Sequence, residues 1–407
     1  MVRNEGRLVR EVMRVVTLAG DPEREADLAP RLATEPSLEL YLRCVDRVEL
    51  LAAMRSGAID ALVAVGAPGW FDAEAAAEAS RNDIRMVGVA DNSFEAEVLE
   101  LRGASVLDAK ASVGEIVDAC RSAKPVPPVA PVESRGSRPG QVIAVWGPKG
   151  APGRTTIAIE LAYALSETAE TTVLMDADPY GGDALQMLGV IEELPTVVWA
   201  AAAAASGKGS TELLANLARV GADGPLLVPG LPRADLWPEV ADYGFAELIR
   251  LLAGQTRFLV VDIGFCLEDQ APLGGPNGRN AMALATLERA DRVVALCRAD
   301  AVGVKNFIWS FEALRELVDE DRISIVLNRV HRDAREIDDL LSRHTGLSSS
   351  VRFPDHPLDC RKALEQGAAV HEVRRTSEIC SSARLLAERL GGRVRSQGLL
   401  ARLAGRS

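Results

Sequence analysis

The sequence predicts an α/β protein of two domains, each with a largely parallel β-sheet. Apolar segments of strand length alternate with segments of helical periodicity through residues 1–122, and the same alternation returns after residue 141. A proline-rich segment separates the two halves. Strands that alternate with helices form parallel sheets, because each helix returns the chain to the same end of the sheet. At 407 residues the chain is also too long for one ordinary core.

Composition is that of a globular protein and argues against several classes of partner. The net charge of −12 opposes general nucleic-acid binding, since phosphate backbones attract basic surfaces. Six cysteines without a CxxC pair are typical of reduced thiols rather than of disulfides or a zinc site. The sequence begins without an apolar signal-type segment, and no apolar run reaches the ~20 residues that a membrane span needs. We therefore expect a cytoplasmic protein.

The first half, residues 1–122, predicts a five-stranded doubly wound domain. Its apolar strands and amphipathic helices alternate in five successive pairs. The predicted strands cover residues 12–18, 38–45, 59–65, 85–90 and 104–107. The predicted helices cover residues 24–33, 47–56, 73–80, 94–102 and 112–121.

Residues 123–140 are rich in Pro, Ser and Gly and predict an extended, semi-rigid linker. A second α/β domain is expected over 141–390, followed by a basic tail at 391–407. Its predicted strands cover 142–146, 172–175, 226–228, 258–262, 293–297 and 323–327. Its predicted helices include 156–166, 212–219, 244–253, 281–289, 305–318, 334–343 and 380–390, and the alanine-rich tract 199–205 has high helix propensity.

The order and size of the first domain resemble a response-regulator receiver domain, which is flavodoxin-like in fold. Receivers carry a phosphate-accepting Asp at the end of the third strand, where this chain has Gly66. Asp21, with Glu23 nearby, ends the first strand where receivers usually show two acids, and Lys110 could match the lysine after the fifth strand. We therefore expect a receiver-like interaction module that is not phosphorylated.

A glycine-rich turn, Gly147-Pro-Lys-Gly-Ala-Pro-Gly-Arg-Thr-Thr156, follows an apolar strand and precedes a helix. Backbone N–H groups and a helix N-terminus bind phosphates in this context. The pattern G-x-x-x-x-G-K-[ST] is not met, because Pro148 stands for its first glycine and Arg154 for its lysine. Taken alone, the segment could also be an ordinary connecting turn.

Polar side chains at three strand ends strengthen the prediction of a nucleotide site. Asp176 and Asp178 end one predicted strand, Asp262 ends a second and Asn328 ends a third. Ligands of open α/β sheets bind at the carboxyl ends of the strands. We expect these ends to meet the glycine-rich turn in one crevice.

These residues resemble the motifs of the MinD/ParA ATPases. Lys149-Gly-Ala-Pro-Gly-Arg-Thr-Thr156 is similar to their deviant Walker A motif, Asp176-Ala-Asp-Pro179 with Asp183 to switch I, and Asp262 with Gly264 to Walker B and switch II. Asn328-Arg329 looks like the strand-end segment whose amide side chain recognises adenine, and Phe353-Pro-Asp355 looks like the Pro-Asp turn that lines the base. Together with the receiver-like domain, the pattern looks like the CpaE/TadZ branch, which localises Tad/Flp pilus assembly. The resemblance implies a P-loop NTPase fold with a mostly parallel sheet.

The resemblance also implies roles for individual residues with ATP and Mg²⁺. The loop Gly150, Ala151, Pro152, Gly153, Arg154, Thr155 and Thr156 would bind the phosphates, and Asn328, Pro354 and Asp355 would surround the base. Thr155, Asp176 and Asp262 would serve the metal ion. Asp178 would orient the attacking water, and Lys149 would reach the ATP of a partner subunit in a homodimer.

Three departures from the family pattern bear on catalysis. Arg154 offers a planar fork where the family has a compact ammonium group, and the two are not equivalent at a tight phosphate site. Ala151 replaces a glycine and must avoid backbone conformations open only to glycine. Pro152 lacks an N–H group. We expect ATP binding and slow hydrolysis, if the protein hydrolyses ATP at all.

Residues 391–407 contain four arginines and no acid, with Leu399, Leu400 and Leu403 on one predicted helical side. The tail is similar in style to the membrane-targeting tail of MinD and would place the protein at the inner face of the membrane or at a pole. A frayed basic end is the alternative interpretation. Two tails on an ATP-dependent dimer would bind lipid by avidity.

Three functions compete. The first is a positioning ATPase that recruits a polar or pilus-assembly protein through its N-terminal domain. The second is a septum-site or chromosome-partitioning factor, against which the acidic charge argues where DNA binding is concerned. The third is a pseudo-ATPase scaffold without nucleotide.

Overall fold

A computed structural model describes residues 12–66, 71, 73–126, 140–168, 171–191, 196–205, 212–240, 242–268, 278–331 and 334–392. The basic tail beyond Gly392 and most of the predicted linker lie outside these ranges. The described residues form two parallel-sheet units, as the sequence predicts.

The N-terminal unit is a five-stranded parallel sheet in the order β2-β1-β3-β4-β5. This is the flavodoxin-like order, in which the sheet reverses direction of growth beside β1. The strands are β1 Met13–Ala19, β2 Leu38–Cys44, β3 Ala61–Val65, β4 Arg85–Ala90 and β5 Ser105–Asp108. The helices are α1 Pro22–Ala33, α2 Arg47–Arg55, α3 Ala73–Arg81, α4 Ser93–Leu101 and α5 Val113–Ser122.

Local sequence explains where these helices begin. Asp21, Asp46, Asn92 and Ser112 each accept backbone N–H bonds at the first turn of α1, α2, α4 and α5. Such caps satisfy N–H groups that have no partner within the helix. Every residue of β3 is buried, so that strand lies at the centre of the unit with helices on both faces.

The first four residues of the predicted linker pack with this unit. Ala123 and Val126 are buried in its cores, and the Val126 N–H donates to the Ile84 carbonyl oxygen at 3.0 Å. The N-terminal core therefore extends to Val126, four residues beyond the predicted boundary at 122.

The C-terminal unit is an eight-stranded sheet in the order β13-β12-β11-β6-β10-β7-β9-β8. All pairs are parallel except β8 with β9. Its strands are β6 Gln141–Trp146, β7 Thr172–Ala177, β8 Ala218–Arg219, β9 Leu226–Val228, β10 Phe258–Ile263, β11 Arg292–Arg298, β12 Ile323–Val330 and β13 Val351–Pro354. Its helices are α6 Arg154–Ser166, α7 Ala184–Met187, α8 Val197–Ala205, α9 Glu212–Ala215, α10 Asp242–Gln255, α11 Ala281–Arg289, α12 Ala301–Leu317, α13 Arg335–Thr345, α14 Pro357–Gln366, α15 Val370–Val373 and α16 Glu378–Arg389, with 3-10 helices at Ala234–Glu239 and Glu320–Arg322.

Strand β6 lies between β10 and β11 and carries the glycine-rich turn at its carboxyl end. Strand order reverses at this point, which is where ligands bind in open α/β sheets. Asp262 of β10 pairs in register with Asp176 of β7, so the two strand-end carboxylates are neighbours across the ladder. Trp146 at the end of β6 is fully buried and packs near Phe307, so it is part of the core.

Three parts of the predicted secondary structure differ from the structure. Helix α9 ends at Ala215, and residues 218–219 form β8 against β9, so the predicted helix 212–219 is wrong at its end. Strand β13 and helix α14 follow β12 where no elements were predicted. Phe353-Pro354, expected in a turn, end β13 at the edge of the sheet, a position where proline is tolerated.

The alanine-rich helix α8 joins the two units. It packs against α10 of its own unit and against α4 of the N-terminal unit, and Ala202 is buried in the N-terminal core. Small side chains permit this close approach on two sides: a Cβ at Gly244 of α10 would lie 2.7 Å from the Ala201 carbonyl oxygen. Among the described helices, none is long and apolar enough to cross a membrane.

Candidate nucleotide-binding site

In the N-terminal unit, four residues form a cluster that we call the N-terminal corner, namely Asp21, Arg24, Gly66 and Glu95. Arg24 donates to both Glu95 carboxylate oxygens at 3.0 and 3.2 Å and to the Val89 carbonyl oxygen at 3.0 Å. It also lies 3.7 Å from Asp21, whose other oxygen caps α1. An arginine thus binds the acids at this sheet edge.

Gly66 completes the closure of the N-terminal corner. Its φ is 72°, and a Cβ there would lie 3.0 Å from the Asp21 backbone nitrogen. A side chain at this position would be both strained and crowded. The corner therefore lacks room for the phosphate-accepting side chain that receivers carry at this place.

The glycine-rich loop of the C-terminal unit adopts left-handed backbone conformations before α6 begins at Arg154. The φ angles are 106° at Gly150, 51° at Ala151 and 97° at Gly153. Ala151 was expected to avoid conformations open only to glycine. It enters the left-handed region, which favours glycine and costs an alanine about 1–2 kcal/mol.

Three side chains from neighbouring elements hold the carbonyl oxygens of this loop. Arg298 donates to Gly150 at 3.0 Å, Asn306 to Lys149 at 3.2 Å and Asn328 to Pro152 at 2.7 Å. In a trans peptide the N–H group points away from the preceding carbonyl oxygen. The next N–H groups in the chain, those of residues 150, 151 and 153, therefore point away from the three donors.

The side chain of Asn328 is hydrogen-bonded to the phosphate loop and to its own backbone segment. Its amide nitrogen is bound to Pro152, and its amide oxygen accepts the Arg329 N–H at 2.9 Å. A Cβ at Gly153 would lie 2.4 Å from the same amide nitrogen, so glycine is required there for close packing. Asn328 clamps the phosphate loop and still lines the adjoining cavity.

Arg154 forms an ion pair with Asp178. One terminal nitrogen of the guanidinium lies 2.8 Å from the Asp178 carboxylate, and the other donates to the Gly147 carbonyl oxygen at 3.2 Å. The second Asp178 oxygen accepts the Tyr180 N–H at 2.9 Å. The residue that replaces the usual P-loop lysine therefore links the loop to the segment after β7.

Asp262 is the least compensated carboxylate of the described site. It is 1% exposed, and neither of its oxygens has a hydrogen-bond partner among the described residues. Burial raises its pKa well above the usual range, and Asp176 raises it further, whereas Arg154 and Thr155 lower it. An ionised carboxylate in this position requires a nearby cation.

Asp176 has more support than Asp262. It is fully buried and accepts the backbone N–H groups of Asp178 at 3.2 Å and Ala184 at 3.1 Å. Burial raises its pKa to about 6 in spite of these two bonds. Gly182 and Gly230 pack closely against the Asp176 carboxylate, since a Cβ at either position would lie within 2.9 Å of it.

These donors fit Mg²⁺. The ion prefers oxygen ligands and keeps several waters, so it can reach carboxylates that have no protein partner. Asp262 offers two unpartnered buried oxygens, and the Thr155 hydroxyl is close enough to influence its pKa.

A cavity of about 580 Å³ adjoins the loop. This volume is in the range of small-molecule sites. Five of the predicted residues line it, namely Gly153, Thr156, Asn328, Pro354 and Asp355. It is also lined by Arg298, Asp300 and Cys360, which the sequence did not single out. Lys149 is exposed at the tip of the loop, outside this lining.

Comparison with known families decides what kind of domain this is. The CbiA family model, the CobQ/CobB/MinD/ParA nucleotide binding domain, matches residues 143–352, just over half of the 407 residues. The chain belongs to this family. The match begins in β6 and ends within β13, so it includes the loop, the three strand-end aspartates and Asn328.

Solved structures agree with the fold of this CobQ/CobB/MinD/ParA domain. A ParA family ATPase from Chlorobium tepidum TLS has a TM-score of 0.53 at 19% identity over 61% of this chain and 98% of that chain. The cell division ATPase MinD of Pyrococcus furiosus has a TM-score of 0.48 at 18% identity over 62% and 98%. At such identities the likeness to the first shows the fold alone. No curated protein sequence matches the chain.

A second buried polar cluster lies behind the phosphate-loop helix of this domain. Glu160 of α6 accepts the backbone N–H groups of Val370 at 2.7 Å and His371 at 3.2 Å, and it lies 2.6 Å from the His371 ring nitrogen Nδ1. Cys380 completes the group. No local sequence pattern predicts this cluster, because the histidine lies 211 residues from the glutamate. Its evident role is to fasten α15 to α6.

Proposed function

We propose that the protein binds ATP with Mg²⁺, hydrolyses it slowly and uses its nucleotide state to position a partner. The observation that carries the proposal is Asp262, a buried carboxylate without a hydrogen-bond partner among the described residues, beside a phosphate-type loop and a cavity of about 580 Å³. Leaving such a group uncompensated is costly, so a site that keeps one is expected to use it.

Residues of this chain would divide the work as follows. The N–H groups of the loop and the N-terminus of α6 would bind phosphate oxygens. Thr155 would ligate Mg²⁺ directly, and Asp176 and Asp262 would hold it through water. The ion would neutralise charge on the phosphates, as in other phosphoryl-transfer sites. Pro354 and Asp355, with Asn328, would enclose the base.

Slow hydrolysis follows from the ion pair between Arg154 and Asp178. Asp178 would orient the attacking water, but it is bound to Arg154 at 2.8 Å and to the Tyr180 N–H at 2.9 Å. A carboxylate engaged at both oxygens is poorly available to a water molecule. Asp178 must therefore be released from Arg154 before it can orient the attacking water.

Dimerisation would depend on Lys149. Its side chain is exposed at the tip of the loop, where it could reach the nucleotide of a second copy. We propose that ATP assembles a homodimer in this way. Lys149→Ala should then retain ATP binding in isothermal titration and lose the ATP-dependent increase in mass in light scattering.

The biological partner we propose is a polar or pilus-assembly protein, as in the CpaE/TadZ branch. The closed N-terminal corner supports a domain that binds proteins rather than one that accepts phosphate. The protein would act in the cytoplasm, with the basic tail as a peripheral membrane contact. Flotation of the full chain with anionic vesicles, with and without ATP, tests the tail against a chain that ends at Gly391.

Isothermal titration with ATP and Mg²⁺ tests the central proposal. We expect ATP to bind in the micromolar range and EDTA to weaken the binding, with phosphate release well below the median of about 10 s⁻¹ for enzymes. Asp223→Asn, an exposed turn substitution, is the control and should leave binding unchanged. Absence of binding at millimolar ATP would support the pseudo-ATPase scaffold, and a salt-sensitive DNA shift would support the partitioning factor.

A further inference from the structure

The ion pair between Arg154 and Asp178 joins two segments that a nucleotide would both contact. Arg154 belongs to the phosphate loop, and Asp178 follows β7. Both side chains are largely buried, at 14% and 11% exposure. A pair this enclosed is only weakly screened by salt. The strength of this ion pair therefore affects the relative positions of the phosphate loop and the segment after β7.

Arg154 is also the local countercharge for the other carboxylates. It lowers the pKa of Asp262, while Asp176 and Asp178 raise it. Asp178 likewise raises the pKa of Asp176. One guanidinium therefore serves two acids, Asp178 through an ion pair and Asp262 through its charge, and any new anion in the loop would compete for it.

The choice of arginine over lysine matters for this geometry. A guanidinium presents several N–H groups in a rigid plane and can bind two acceptors at once. Arg154 does this with the Gly147 carbonyl oxygen and the Asp178 carboxylate. A lysine ammonium is a compact point charge on a flexible stem and would hold these two acceptors less firmly. Arginine in place of the usual lysine thus connects the Gly147 carbonyl oxygen and the Asp178 carboxylate more firmly.

We propose that Arg154 is a positioning residue that restrains Asp178, and that nucleotide phosphates compete with Asp178 for the same guanidinium. The basic residue at this place in a phosphate loop is the one that reaches the β- and γ-phosphates. When Arg154 binds phosphate, Asp178 is released to orient water. This inference rests on the proposed binding of ATP and adds its regulation.

Removing the competitor should strengthen ATP binding. We expect Asp178→Asn to lower the Kd for ATP with Mg²⁺ about fivefold or more in isothermal titration, while kcat falls. This split is diagnostic, since a merely structural role for Asp178 would weaken binding and catalysis together. Asp178→Ser is the second variant, because its hydroxyl can still accept the Tyr180 N–H if the asparagine variant fails to fold.

A general loss of negative charge would also strengthen ATP binding, so the test needs a second background. In Arg154→Met, which cannot form the ion pair, Asp178→Asn should change the Kd by less than about twofold. The matched control is Asp183→Asn, an exposed acid of the same segment, whose effect should be equal in both backgrounds.

An equal gain from Asp178→Asn in both backgrounds, or no gain in the native background, would overturn the ion-pair competition while leaving ATP binding intact. Failure of the native chain to bind ATP would overturn the proposed function as well. Arg154→Lys should lie between the native chain and Arg154→Met in its coupling to Asp178.

Discussion

The two sheets of this protein bring acids to the carboxyl ends of their strands, and in both an arginine binds those acids. In the N-terminal corner Arg24 joins Glu95, Asp21 and the Val89 carbonyl oxygen. In the C-terminal site Arg154 joins Asp178 and the Gly147 carbonyl oxygen. The two sites differ in the acids that the arginine does not bind. In the C-terminal site Asp262 has two buried oxygens without a hydrogen-bond partner among the described residues.

This difference indicates which corner can respond to a ligand. The N-terminal corner satisfies its charges internally, and Gly66 leaves no space for an additional side chain. In the C-terminal site Arg154 pairs with Asp178 and leaves the oxygens of Asp262 without a hydrogen-bond partner among the described residues, and the loop adjoins a cavity. Similar chemistry at a strand end thus gives a closed structural contact in one domain and, in the other, a buried carboxyl that the described residues leave without a hydrogen-bond partner.

Asp262→Asn should have the largest effect, since it makes the C-terminal site resemble the closed one. We expect Mg²⁺-dependent ATP binding to fall about 10- to 100-fold in isothermal titration, the usual cost of losing a residue that supports a metal ion. The same variant should be more stable at neutral pH by about 1–3 kcal/mol in urea unfolding, because on folding the native chain must either protonate this carboxyl or bury it charged, and both oppose the folded state.

The gain in stability from Asp262→Asn should increase as pH rises from the acidic range. Burial raises the pKa of Asp262 in the folded chain, so the native protein loses stability as pH rises from the carboxyl's unfolded pKa to its folded pKa. The Asp262→Asn variant avoids this loss, and its advantage should vanish in acid. An advantage that persists at low pH would contradict the electrostatic explanation.

Gly66→Asp tests whether the N-terminal corner is a hidden phosphate acceptor. The φ of 72° and the crowding at Asp21 should destabilise the domain by about 2 kcal/mol. We expect no binding of beryllofluoride with Mg²⁺ in titration calorimetry. Binding of that phosphoryl mimic would mean that the corner can open and that the two domains differ less than the structure indicates.

Arg24→Ala should destabilise the chain by about 1–2 kcal/mol, because bonds to a charged partner and to a carbonyl oxygen are lost at a partly exposed site. The affinity for ATP should not change. Urea unfolding and calorimetry measure the two quantities, with Arg31→Ala on the exposed side of the same helix as control. A large change in ATP affinity would reveal coupling between the corners.

Glu239 gives the smallest expected effect and tests the contact between the domains. Burial raises the pKa of this carboxyl to about 7, with Glu95 and Asp21 raising it and Arg102 lowering it. Ionising Glu239 therefore opposes the folded state, and native stability should fall as pH rises from about 4.5 to about 7. Glu239→Gln should be more stable by about 1 kcal/mol at pH 8 and equal at pH 4 in thermal unfolding.

Much of the fold was predictable because local signals agree with it. Buried parallel strands appear as continuous apolar runs, and capping residues such as Asp21 and Ser112 mark helix starts. The prediction was poorest at the sheet edges. Strand β8 has two residues and exists through its pairing with β9, and β13 ends in Pro354, which argues locally against a strand.

The sequence predicted that the strand-end acids would lie near the glycine-rich loop, but it did not predict the partners of these residues. Strand-end acids and the glycine-rich loop were recognisable, whereas Arg298 and Asn306, which hold the loop, were missed. Arg298 could have been found by the same rule, since it is the polar residue that ends β11. Asn306 could not, because an asparagine within a helix carries no local signal for a loop 157 residues away.

The sequence by itself determined the two α/β layers, the phosphate-type loop and the acids that follow each strand, because apolar periodicity, capping and glycine positions act locally. Only the tertiary structure decided that Arg154 binds Asp178, which lies 24 residues away. That pairing depends on β6 and β7 flanking β10, which brings the two residues to one edge of the sheet. The tertiary structure likewise left Asp262 without a hydrogen-bond partner among the described residues, and this is the property on which the proposed cation site rests.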